Sequence, residues 1–510
     1  MRSLRLRDAV AGALAAIWVA TAHLLHAQDR VSAIDDVVSL YARFGLSGTV
    51  LVSGRDGKVL YEKALGLADR ERKIPVESDT RFSIASMSKP FVAALVLQLV
   101  EQGKLRLDGT VGEYVPDYPS AAGRRITIHQ LLTFTSGLPD YVSILAARGP
   151  TWFQATYPPD TIVHAVAERE LMFEPGSQFG PSNSDYVLLA LILQRVTGKA
   201  YARLLRERIL DPIGMDDSGA TGRPLSCPSC SGPIDRTVTD TSGRWAVGYE
   251  RAPAGLQRAP RADISLALGA GDIYSTARDQ YLWDRALRTD RLLSRASREL
   301  MFRAHAQTRP PLFELDGFGY GWAVGTLTLA PGAAPLRVAQ GVGGGIPGYT
   351  AKLTRVLDGE GPAVIILGNE FQTSLVLSLD RELLRALYGA PLSIAIAVGR
   401  TALDQGIAAA TARYRALKRE SSAAYDFGEP ELNRLGYWLL RAGRGADAVE
   451  IFKLNVEAYP KGYNTYDSLG EAYMVTGQRE LAVANYRRSL ELNPQNENAR
   501  RMLARLGATP

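Results

Sequence analysis

Phe82-Ser83-Ile84-Ala85-Ser86-Met87-Ser88-Lys89 runs directly into Pro90-Phe91-Val92-Ala93-Ala94-Leu95-Val96-Leu97-Gln98-Leu99-Val100, and this junction decides the fold. The second half is apolar almost all round, which predicts a helix buried in the middle of a domain, with Gly103 as its stop. Ser86 and Lys89 stand three residues apart at its start, a spacing that puts both side chains on one helical face. A serine hydroxyl needs a neighbouring base to become a nucleophile, and a lysine serves once burial disfavours its ammonium form. Free N–H groups at the helix start can also stabilise an oxyanion. The spacing alone is ambiguous, because a serine-capped, solvated first turn has the same pattern.

Working outward, Ser47–Ser53 and Val59–Ala64 flank Asp56-Gly57 and predict a hairpin. Short helices with many Pro and Gly breaks are expected over 104–265. Strand-like runs return at Gly319–Val324 and Ala363–Leu367. Strands at both ends with helices between imply an α+β domain.

The C-terminal part repeats. A shift of 34 residues carries Pro460 onto Pro494, Leu435 onto Leu469, Gly436 onto Gly470, Ala448 onto Ala482 and Phe452 onto Tyr486. Small residues where antiparallel helices cross, with Pro at the unit's end, resemble the tetratricopeptide pattern over about two repeats. Residues 497–506 read as a capping helix and 394–420 as one or two leading helices. Such a stack is either a packing appendage or a groove for a peptide or protein partner.

The remaining chemistry narrows by elimination. Arg2, Arg5 and Arg7 precede the apolar run Ala9–Ala20, with small-residue cleavage patterns at Ala20-Thr21-Ala22 and Leu25-His26-Ala27. That is an exported leader, and the mature chain is expected to be periplasmic or secreted, with no membrane span. Cys227 and Cys230 are the only cysteines, and in an oxidising compartment they would close a local disulfide. Past the leader only His129, His164 and His305 remain, none at metal-ligand spacing, so no metal or other cofactor is expected. The same scarcity, and the lack of any Gly-x-Ser-x-Gly elbow, argues against a Ser-His-Asp triad. The formal charge of +6 lies in no block of like charge, so no nucleic-acid partner is expected.

Further motifs follow in order: Leu131-Leu132-Thr133-Phe134-Thr135-Ser136-Gly137-Leu138-Pro139, Pro175-Gly176-Ser177-Gln178-Phe179 leading to Ser182-Asn183, Gly269-Ala270-Gly271-Asp272-Ile273-Tyr274-Ser275-Thr276, and Gly343-Gly344-Gly345-Ile346-Pro347-Gly348. Together with Ser86-Met87-Ser88-Lys89 they resemble the family of class C β-lactamases, D-alanyl-D-alanine carboxypeptidases, penicillin-binding proteins and related serine esterases, over roughly residues 45 to 370. The resemblance implies an α+β β-lactamase/transpeptidase-like fold, an antiparallel sheet flanked by helices plus a helical subdomain. The expected order is a leader at 1–27, the hydrolase domain at 28–390, a helical linker at 391–428 and an all-α repeat domain at 429–510. It also implies Ser86 as acylated nucleophile, Lys89 as its proton-transfer partner and Asn183 as the amide that orients lysine and substrate. The backbone N–H groups of Ser86 and Gly345 would form the oxyanion hole, with Gly343 and Gly344 beside the substrate.

Two positions depart from the family pattern. The second motif, Tyr-x-Asn, reads Pro181-Ser182-Asn183, and the third, which begins with Lys or His, reads Val342-Gly343-Gly344. Proline cannot titrate and valine cannot hold a substrate carboxylate. A cation that would depress a tyrosine's pKa has less purpose without the tyrosine. Acylation through Ser86 and Lys89 remains open, whereas deacylation has lost its obvious second base. Ser182 and Tyr186 could replace the missing phenol only in a displaced loop. The sequence therefore supports an exported serine hydrolase acting on an ester, amide or peptidoglycan-like peptide, a small-molecule or peptide substrate. The alternative is an impaired or inactive hydrolase-like protein that binds a partner through its repeats.

Overall fold

The computed structural model describes residues 28–155, 161–221, 244–252, 255–260, 262–308, 314–343, 346–359, 361–421 and 424–509. The leader, Cys227, Cys230, Gly344 and Gly345 lie outside the described residues. Two compact units are distinguished: Leu46–Thr328 with Ala334–Asp380, and Met1–Gly45 with Leu329–Ala333 and Arg381–Pro510.

The first unit is α+β. Eight antiparallel strands lie in the order Ala306–Gln307, Gly317–Phe318, Ala323–Leu327, Leu336–Gly343, Thr350–Val356, Ala363–Gly368, Gly48–Ser53 and Val59–Leu65. The N-terminal hairpin forms where the Asp56-Gly57 signal places it, with Gly57 in the left-handed region at φ 74°. Its first strand pairs with the last one, Gly48 opposite Gly368. The strands that open and close this unit in sequence thus lie side by side in the sheet. Gly48–Ser53, Thr350–Val356 and Ala363–Gly368 are buried along their whole length, which explains their continuous rather than alternating apolar character.

The expected strand at Gly319–Val324 begins only at Ala323. Gly319 N–H donates instead to Trp322 O at 2.8 Å, closing a turn. The cause is Gly321, at φ 80°, where a Cβ would stand 2.9 Å from the backbone nitrogen of Pro90. The chain turns there to admit the serine-bearing helix.

That helix spans Lys89–Glu101, with every residue from Lys89 to Leu99 buried. Phe91 stacks on Trp283 at a centroid distance of 4.1 Å. The serine-bearing helix also packs against the helix Asn183–Thr197, stopped by Gly198 at φ 65°, and against Arg295–Met301. A helix enclosed on all sides is a rigid mount for whatever its first turn carries.

In the second unit the helix 28–43 is tied in by Tyr41 and Phe44, whose rings lie 5.1 and 5.3 Å from Trp438. Helices Ile394–Gln405 and Ile407–Glu420 lead into Glu429–Arg441, Gly445–Ala458, Tyr463–Val475 and Arg479–Leu492, with Glu497–Arg505 last. The 34-residue shift has a physical meaning here. A Cβ on Gly436 would stand 2.4 Å from the Phe452 ring, and one on Gly470 3.1 Å from the Tyr486 ring. Each pair of helices crosses where an aromatic ring rests on bare backbone, so the region fits a tetratricopeptide-like extension. Among the described residues, no helix is long and apolar enough to cross a membrane.

Candidate active site

Ser86 lies in the 3₁₀ turn Ala85–Ser88, which passes straight into the helix beginning at Lys89. Ala85, just before the serine, is held at φ 47°, a conformation that costs a non-glycine residue about 1 kcal/mol or more. The turn survives because its surroundings fix it. Ser88 Oγ donates to Ala85 O at 2.7 Å and accepts from Ile273 N–H at 3.0 Å, stitching the turn to the central strand of a small sheet.

The Lys89 ammonium position has three oxygen partners. Nζ lies 2.8 Å from Ser86 Oγ, 3.0 Å from Asn183 Oδ1 and 2.8 Å from Ala270 O. Burial lowers the lysine pKa to about 7, with the carboxylates of Asp140 and Asp185 pulling the other way. At neutral pH the amine is therefore substantially uncharged. The geometry suits that form: two of the partners accept only, so they take the two N–H groups, and the lone pair is left for the Ser86 hydroxyl. Which end of the Asn183 amide faces Lys89 follows from its other contact, since Nδ2 donates to Asp140 at 3.1 and 3.3 Å.

Ser86 and Asn183 open onto a cleft of about 210 Å³ whose walls include Tyr141, Trp152, Phe153, Leu266 and Ile346. Among its described lining residues no arginine, lysine or histidine occurs, and Asp263 is the one charged group.

A serine–lysine–asparagine cluster at a helix start, with the lysine buried, beside an eight-stranded antiparallel sheet, has relatives. Residues 34–388 match the family described as Beta-lactamase. The chain belongs to the β-lactamase family. It is 30% identical over 369 residues to Esterase EstB of Burkholderia gladioli, covering 67% of this chain and 91% of the esterase. Penicillin-binding protein 4* of Bacillus subtilis is 29% identical over 364 residues, covering 68% of this chain and 74% of the relative. Among solved structures, D-amino acid amidase from Ochrobactrum anthropi SV3, complexed with D-phenylalanine, superposes with a TM-score of 0.58 at 26% identity, covering 71% of this chain and 98% of the amidase. This member of the β-lactamase family is a serine hydrolase by relationship, with esterase, amidase and penicillin-binding homologues.

The structure brings Ser86, Lys89 and Asn183 together. Gly343 ends the strand Leu336–Gly343, and a Cβ there would stand 2.2 Å from Ile84 O. Its bare backbone admits the chain segment that carries Ser86. Val342 is paired in register with Lys352 on the next strand. Pro181 occupies the approach to the Asn183 helix. Tyr186 points its hydroxyl to Leu132 O at 2.9 Å, and its ring lies 5.7 Å from Lys89 Nζ. Its phenol is thus engaged away from Ser86, and burial raises its pKa well above the usual value. Ser182 is buried and its hydroxyl has no hydrogen-bond partner among the described residues. His129 and His305 gather around Tyr320, with His129 Nδ1 2.9 Å from the phenol oxygen and the His305 ring stacked at 4.3 Å.

Two contributors were not singled out from the sequence. Asp140 follows directly after the Leu131–Pro139 motif, and Ala270 lies inside a quoted motif but acts through its carbonyl. A carbonyl leaves no trace in residue type. The signal for Asp140 was a carboxylate at an N-cap, which has an ordinary structural use as well.

Proposed function

We propose that this protein hydrolyses a small neutral ester or amide through an acyl-enzyme on Ser86, with Lys89 as the base for both half-reactions. The observation that carries the reading is the three-oxygen environment of Lys89, which satisfies the neutral amine and aims its lone pair at the Ser86 hydroxyl. In acylation, Ser86 Oγ attacks the substrate carbonyl while its proton passes to Lys89 Nζ. The oxyanion forms against the Ser86 N–H, with Gly345 as its family-implied companion. The lysine then gives that proton to the leaving alkoxide or amine. In deacylation a water loses a proton to Lys89 as it attacks the ester, and Ser86 regains a proton as it leaves.

The missing motif residues fit this scheme. A lysine already neutral near pH 7 does not need a phenolate to receive its proton, so Pro181 removes a relay rather than the only base. Val342 and the lack of a basic residue among the described cleft-lining residues disfavour a substrate carboxylate. The apolar walls suit an acyl group with hydrocarbon character. Export by the Arg2–Ala27 leader is part of the proposal, and the N-terminal mass of protein recovered from the periplasm or medium tests it.

The deciding experiment compares steady-state turnover of p-nitrophenyl butyrate with that of nitrocefin and an acyl-D-alanyl-D-alanine peptide, in the wild type and in Ser86→Ala. Ester turnover abolished in Ser86→Ala, with kcat/KM at least a hundredfold above either carboxylate-bearing substrate, supports the proposal. Equal or better turnover of the carboxylate substrates contradicts the substrate class. Absence of any Ser86-dependent turnover contradicts hydrolysis and leaves the binding-protein alternative.

A further inference from the structure

The groups around Lys89 come from four elements. The loop ahead of the helix Tyr141–Ala146 supplies Asp140, and Tyr141 follows it on the helix itself. The helix Asn183–Thr197 supplies Asn183, Asp185 and the Tyr186 ring. The segment before the strand Ile273–Ser275 supplies the Ala270 carbonyl, while Asp272 accepts from Gly269 N–H at 2.9 Å. The end of the strand Leu336–Gly343 brings the backbone of Gly341 beside Met87 and that of Gly343 beside Ile84.

Among these, Asp140 is placed to act twice. Both of its oxygens accept from Asn183 Nδ2, and Oδ1 also accepts from Val142 N–H at 3.2 Å, capping the short helix. It therefore touches the amide that touches the lysine. Asp185, the other carboxylate in reach, is buried and accepts from Ser136 Oγ at 2.6 Å. It makes no such bridge to Asn183 among the described contacts.

We propose that Asp140 is a positioning residue for the Ser86–Lys89 pair: it fixes the Asn183 amide with Oδ1 toward Lys89, and its charge sets how readily Lys89 releases its proton. The inference rests on the hydrolase reading above. An asparagine amide turned around would present N–H groups to a lysine that is itself a donor, and the lone pair intended for Ser86 would be spent on Asn183 instead. The Asp140 carboxylate, which can only accept, forbids that orientation. Its negative charge favours the ammonium form of Lys89, offsetting part of the desolvation that favours the neutral amine. The carboxylate thus keeps the lysine able to carry a proton long enough to deliver it to the leaving group. In a site without the family's tyrosine and third-motif cation, this function falls on a group behind the asparagine.

Two substitutions separate the roles. Asp140→Asn keeps an acceptor for Asn183 and for the Val142 cap but removes the charge. Asp140→Ala removes both. The readout is the rate at which a fluorophosphonate labels Ser86 in the full chain, followed from pH 5 to 9 with thermal unfolding in parallel. In Asp140→Asn the acid limb should move down by on the order of half to one pH unit, with the alkaline plateau within about threefold of wild type. In Asp140→Ala the plateau itself should fall by about tenfold or more, and Asp140→Glu should recover part of it. An unmoved acid limb in a folded Asp140→Asn, or a wild-type plateau in Asp140→Ala, overturns the proposal. Absence of labelling in the wild type strikes the hydrolase reading itself, so the two failures are distinct.

Discussion

The sharpest consequence of the buried lysine is a pH dependence that an ordinary lysine cannot produce. With its pKa near 7 rather than 10.5, about half of Lys89 is neutral at pH 7, against about one molecule in 3000 for a lysine in water. The displacement corresponds to about 5 kcal/mol at about 1.4 kcal/mol per tenfold. If neutral Lys89 takes the Ser86 proton, the rate of Ser86 modification follows the neutral fraction. It should rise about tenfold between pH 6 and 8 and flatten above that, where an unshifted lysine would give about a hundredfold with no plateau. The sign also applies to stability: between pH 7 and 10 the unfolded chain holds a proton that the folded one has released, so stability from this group rises with pH. The assay is stopped-time labelling by a fluorophosphonate, a neutral reagent whose fluoride leaving group needs no proton from the enzyme. Lys89→Met should lower the pH 8 rate by about a hundred- to ten-thousandfold and remove the limb near pH 7. A hundredfold rise without a plateau, or a limb that persists in Lys89→Met, would show that neutral Lys89 does not take the Ser86 proton.

Other consequences follow from packing. Gly343→Ala would drive a methyl against Ile84 O, so the strand and the segment carrying Ser86 must part, and Ser86 labelling should fall more than tenfold; labelling at the wild-type rate would show that the approach is not critical. Gly436→Ala places a methyl within the Phe452 ring and should destabilise the C-terminal unit by about 1–3 kcal/mol in thermal unfolding, with Ser86 labelling unchanged. Trp152→Ala uncovers one wall of the cleft. At about 0.8 kcal/mol per methylene, loss of cover over two methylenes should raise KM for a butyryl or hexanoyl ester about tenfold, while an acetyl ester should stay within about twofold.

The features legible in the sequence are those that repeat or alternate along the chain. The all-apolar run after Lys89 became an enclosed helix, and the Asp56-Gly57 turn became a hairpin. The 34-residue shift became two aromatic-on-glycine crossings at Gly436 and Gly470. The Gly319–Val324 run was misleading because its pattern is that of a strand while its conformation is set by Gly321 against the backbone of Pro90, a contact distant in sequence. At the site, Ser86 and Lys89 were visible as a spacing and Asn183 through its motif. The Ala270 carbonyl and Asp140 were not, since one is backbone and the other doubles as a helix cap. Tyr186 shows the converse: its residue type suggested a replacement phenol, but its hydrogen bond to Leu132 O assigns the hydroxyl elsewhere.

The proposed hydrolysis passes through a covalent acyl group on Ser86. Intact-mass spectrometry of the full chain, quenched in acid within seconds of mixing with excess p-nitrophenyl butyrate, tests it most directly. The expected result is a butyryl adduct that maps to the peptide carrying Ser86, decays when substrate is exhausted, and is missing from Ser86→Ala. Turnover of the ester with no adduct on that peptide, or with an adduct that persists in Ser86→Ala, would contradict it.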